Sequence, residues 1–114
     1  MTAAEKLVQT LAEFGIPSVS GVYLGEERRY FVFSFFTLPT MHADNTPGAE
    51  RLLTFLHLFL PHGDDCLEMR AQIKKRLFEA GWTWPEEEDA SDEHGQHYVF
   101  SAEIGGGLDG AVWI

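Results

Sequence analysis

The sequence predicts an α+β domain: an antiparallel sheet of four or five strands with two helices packed on one face. Three observations carry this. Two apolar runs, YFVFSFF (30–36) and LLTFLHLFL (52–60), are too short for a membrane span and read as buried strands. A helix-patterned stretch, CLEMRAQIKKRLFEAGW (66–82), follows them, and HYVFSAEI (97–104) closes the block in strand rhythm. Residues 1–104 form a single domain, and residues 105–114 a glycine-rich joint with an apolar tail.

A first helix over about residues 3–14 follows from Ala4, Leu7, Val8 and Leu11 at helical spacing, with Thr2 and Glu5 placed as a capping box. Gly15 and Pro17 stop it. SVSGVYL (18–24) alternates as a strand in which Gly21 marks a bulge, and GEERR (25–29) is a turn. In the next strand, about 30–38, Phe31, Phe33 and Phe35 point one way and Tyr30, Val32, Ser34 and Phe36 the other. Apolar residues on both faces make it a central strand, or one whose second face a partner covers.

The loop 39–48 is long for a hairpin and reads equally as a functional loop or an ordinary surface loop. Its Met41, His42, Asp44 and Asn45 are candidate interface residues. The third strand, about 50–60, sets Leu53, Phe55, His57 and Phe59 against Leu52, Thr54, Leu56, Leu58 and Leu60. Asp64 or Asp65 caps the second helix, whose apolar stripe is Cys66, Met69, Ile73, Leu77 and Ala80, with Arg70, Lys74 and Lys75 in water and Gly81 closing it. Trp82 and Trp84 stand at strand spacing with their rings on one side, and Pro85 makes the segment an edge or a short strand. The acidic run EEEDASDE (86–93) reads as a solvated loop, since it lacks the glycine-punctuated spacing of a calcium site. Residues 93–96 form the turn before the last strand. After GGG (105–107), Val112, Trp113 and Ile114 are candidate interface residues that fold back as a strand or dock on another subunit.

The chain points away from catalysis. A net charge of −10 gives no basic footprint for nucleic acid. One cysteine, Cys66, makes no internal disulfide and fits a reducing compartment, and no secretory leader is visible at the N-terminus, so a soluble cytoplasmic protein is expected. His62, Asp64, Asp65 and Cys66 (HGDDC) and the pair His94 and His97 are the only clusters that merit a metal test, and neither has the paired ligand spacing of structural zinc. His57, among aromatics on a strand, reads as a hydrogen-bonded core or interface histidine. No phosphate loop, nucleophile elbow or zinc-protease motif occurs. No catalytic residue, cofactor or metal is expected.

The block 30–104 resembles a family of small tail proteins of long-tailed bacteriophages and prophages: tail completion, tail terminator or head–tail joining proteins, related in fold to minor tail protein U. The likeness lies in YFVFSFF, the Ala43–Asn45 loop, LLTFLHLFLP in the place of the family's core strand, IKKRLFEAGW ending in the Ala-Gly-aromatic step, and QHYVFSAEI as the returning strand with His97. The resemblance implies a structural protein that forms a ring capping the tail tube and meeting the head connector, with DNA passing through ungripped. The acidic balance and the ending with Trp113 depart from the family pattern. The alternative is a small cytoplasmic α+β interaction or ligand-binding module without catalysis.

Overall fold

The computed structural model describes residues 1–39 and 50–106. Met41, His42, Asp44, Asn45, Val112, Trp113 and Ile114 therefore lie outside the described residues. The fold is α+β, and the described residues form five strands and two helices in the order α1 (Ala3–Leu11), β1 (Ser18–Ser20), β2 (Tyr30–Pro39), β3 (Glu50–Leu60), α2 (Leu67–Glu79), β4 (Glu86–Asp89) and β5 (Gln96–Gly106). The sheet runs β1-β2-β3-β5-β4.

The sheet is mixed rather than wholly antiparallel. β2, β3, β5 and β4 pair antiparallel, but β1 lies parallel to β2, with Val19 opposite Val32. Parallel neighbours normally need a long crossover. Here β1 is so short that the segment 21–29 has only to return about 10 Å, three strand rises. Gly21 at φ 84 starts that reversal and ends the strand four residues sooner than its alternation suggests. In the same segment the Tyr23 hydroxyl accepts a bond from the Glu27 amide at 2.9 Å.

α1 begins as its capping box dictates: the Thr2 side chain accepts from the Glu5 amide at 3.2 Å. It tightens into a 3₁₀ turn, Ala12–Phe14, and stops at Gly15 with φ 71. α2 departs from expectation at its start. Its N-cap is Cys66, without a side-chain cap bond. Asp64 instead forms a two-pronged ion pair with Arg29, and Asp65 accepts weakly from the Leu67 amide.

One face of the sheet carries the buried core. Phe31, Phe33, Leu56, Leu58, Phe100 and Ile104 share a single core cluster with Leu7 and Leu11 of α1 and Ile73 and Leu77 of α2. Phe14 meets Phe31 edge-on at 6.1 Å, and the Arg70 guanidinium sits 4.0 Å over the Tyr98 ring, on the same face. Trp82 packs into this core and donates its indole N–H to Thr54 Oγ1 at 2.9 Å. Trp84 does not share its burial; it is exposed, edge-on to Phe78. The two rings part because residues 82–85 do not form a strand.

The acidic run is not merely a loop. Its first half is edge strand β4, and Glu87 turns inward to ion-pair with Arg70 and with Lys74, the latter at 2.8 Å. Arg70 and Lys74 are consequently half-buried rather than wet. Burial resists the charge on Glu87, yet the bonds from Lys74 and Arg70 outweigh it and hold the carboxyl below its usual range.

Candidate functional site

Strand alternation puts a second set of side chains on the other side of the sheet. Its rows follow from the register: Val19, Val32, His57 and Val99 in one; Tyr30, Phe59 and His97 in the next; Ser34, Phe55 and Ser101; then Phe36, Leu53 and Glu103. None of these side chains reaches the burial of the core face, and Phe36 remains 56% exposed. The middle of the face carries no fixed charge. Charged groups stand at its borders: Glu86 and Glu88 on β4, and the Arg51–Glu103 pair at one end.

Aromatic rings organise the lower half of this face. Tyr23 stacks on Tyr30 at 4.3 Å, Tyr30 on Phe59 at 4.8 Å, and Phe59 on His97 at 4.2 Å. The ladder arises because Tyr30, Phe59 and His97 are direct cross-strand partners. His57 lies diagonally from His97, and its Nδ1 is 2.8 Å from His97 Nε2. One nitrogen of the two donates and the other accepts, so this bond requires at least one uncharged ring. Burial pushes the His57 pKa down, and the charge His97 would carry pushes it further. Burial also lowers that of His97, against the opposing pull of Asp92 and Asp89.

Two shallow cavities flank the ladder and share Tyr30, Phe59 and His97. One, of about 330 Å³, extends to Arg28 and Asp92; the other, of about 370 Å³, to Tyr23 and His57.

The side chains of HGDDC diverge. His62 is exposed, Asp64 turns to Arg29, and Cys66 is buried with its Sγ donating to Gln96 Oε1 at 3.3 Å. Gln96 also takes the Tyr98 hydroxyl at 2.6 Å and donates to the carbonyls of Pro61 and Asp64, so it ties the start of α2 to β5. His94 is exposed beside Glu93 and does not join His97. Among the described residues no three His, Cys, Asp or Glu side chains gather in a way that would hold a metal ion. None of the described helices is long and apolar enough to cross a membrane.

The sequence assigned His57 to a hydrogen-bonded core or interface position, but it did not supply the partner. Only the β3–β5 register brings His57 and His97 together; the signal available beforehand was that each lies in its strand on the side away from the leucine-rich set. No known protein-family model matches this chain, and no curated protein matches it.

Proposed function

We propose that the chain is a non-catalytic structural protein that self-associates through the open face of its sheet, and that it acts in phage or prophage tail completion and head–tail joining as one subunit of a ring capping the tail tube. The observation that supports self-association is that face: aromatic and aliphatic across β2, β3 and β5, uncharged at its centre among the described residues, and covered by no described helix or strand, with only Tyr23 reaching its edge. Its size is informative. Four strand spacings by six residue rises make about 400 Å² of projected area, roughly half of what one partner buries in a standard interface. A single contact therefore gives weak, reversible pairing. In a ring each subunit makes two contacts, the open face of one seated on a different surface of the next.

The tail assignment rests on the ordered resemblance of strands 30–36, 52–61 and 96–104 and of helix 73–82 to that family. On this reading the partners are tail-tube and head-connector proteins, assembly takes place in the bacterial host cytoplasm, and the protein ends in the virion tail. The charge of −10 suits a ring through which DNA slides without being gripped. The test is light scattering at tens of micromolar together with co-assembly on cognate tail tubes. Concentration-dependent oligomers that bind or cap tubes support the proposal; a strict monomer that leaves tubes uncapped sinks it.

The two cavities beside the aromatic ladder favour a second reading, a small ligand-binding module. Saturable thermal stabilisation of a monomer by a planar apolar ligand, lost in Phe59→Ala, would favour it over the first.

A further inference from the structure

Within the self-association proposed above, on which this inference rests, we infer that the His57–His97 pair makes the contact between copies pH-dependent: the face pairs while the two rings share a single hydrogen-bonding proton, and separates once both rings are charged. The geometry supplies the mechanism. At an Nδ1···Nε2 distance of 2.8 Å there is room for one proton between the rings and not two. The first added proton goes to an outer ring nitrogen and leaves the shared hydrogen bond in place. The second places two N–H groups nose to nose, and two positive charges in the middle of an otherwise apolar patch. A second copy seated there strips water from those charges, so they must be discharged before the face closes.

The surroundings set the window. Facing the pair are the phenols of Tyr23 and Tyr30 on one side and Glu88 across Val99 on the other. Asp89 and Asp92 favour charge on His97, and Arg28 and His94 line the adjoining cavity. Burial dominates over these carboxylates, and both rings resist protonation already in the free protomer. The sign follows. The associated state holds at least one ring neutral, so it is favoured above the free protomer's imidazole range and lost as pH falls below it. Each proton that must leave weakens association about tenfold per pH unit below its free-state pKa.

This direction opposes the general electrostatics of the chain. Acidification toward the pI of about 4.7 removes net negative charge and by itself promotes association. Dissociation on mild acidification is therefore diagnostic of the pair.

The experiment is sedimentation velocity of the full chain at tens of micromolar, from pH 8 to pH 5.5, with circular dichroism at each pH. The double variant H57F/H97F, which keeps flat rings and removes the titration, runs alongside. Expected is a wild type that loses oligomer by about tenfold in affinity per pH unit as pH falls below the lowered range of the pair with its fold intact, and a double variant that stays associated. An oligomer indifferent to pH overturns the switch and leaves self-association standing. So does a double variant that dissociates like the wild type, or an acid loss that coincides with unfolding. A monomer at every pH overturns both.

Discussion

The buried bond between Trp82 and Thr54 gives the sharpest quantitative test of the core. Thr54 is the polar side chain of β3 on the face filled by Phe31, Leu56 and Ile104, and both it and Trp82 are 2% exposed. Thr54→Val keeps nearly the same shape and a strand-favouring side chain but leaves the indole N–H with no acceptor and no water. An orphaned buried donor costs about 1–3 kcal/mol. For a domain of this size each kcal/mol lowers the melting temperature by about 4 °C, so the expected drop is about 4–12 °C. Thr54→Ser retains the hydroxyl and should cost only the lost methyl, about 1 kcal/mol. In a Trp82→Phe background there is no N–H to orphan, and Thr54→Val should then cost under about 0.5 kcal/mol. Thermal melts followed by circular dichroism complete the cycle. If Thr54→Val melts with the wild type, or costs as much in the Trp82→Phe background as in the native chain, the bond does not hold the core as argued.

Glu87→Gln removes the shared partner of Arg70 and Lys74 and should destabilise by about 1–2 kcal/mol in urea melts. Because the Glu87 pKa is lowered on folding, its contribution is complete above the ordinary carboxylate range and is lost as pH falls through the depressed folded value; the wild type and variant curves should converge only below it. Val32→Lys on the open face should abolish concentration-dependent scattering while shifting the melt by little, since Val32 is only half-buried. Gly81→Ala should cost more than about 1 kcal/mol through its φ of 112 alone, because its Cβ would meet only Ile104 at an ordinary 3.7 Å; a neutral result would show that the turn relaxes. Zinc or a chelator should leave the melting temperature unchanged, given the divergent side chains of HGDDC.

What was legible in the sequence, and what was not, divides along a physical line. β3 falls where its alternation put it, and the cores of β2, α2 and β5 were equally plain, because burial of one face writes a period into the chain. The elements that eluded reading are those decided by a distant partner. β4 is Glu-Glu-Glu-Asp, which no propensity would make a strand; β5 beside it and the cations of α2 above it do so. The parallel setting of β1 hid because the alternating run 18–24 followed by GEERR looks like half a hairpin. Capping was misassigned for a similar reason: Asp64 found Arg29, thirty-five residues away, before it found the helix. The open face was visible as apolar character on both sides of β2 and β3, whereas the histidine pair within it needed a register between two strands forty residues apart.

The acidic edge strand has a consequence for how the protein keeps out of trouble. β5 alone would present an aromatic, hydrogen-bond-hungry border, Tyr98, Val99 and Phe100 among it, of the sort that recruits strands from other chains into aggregates. β4 occupies that border and replaces it with a row of like charges that a stray strand cannot approach. It is an expendable-looking sequence serving as a gatekeeper, held by its ladder to β5 and by one carboxylate gripped from α2. Neutralising Glu87 therefore loosens the strand that shields this border, and acid weakens the shield together with the fold.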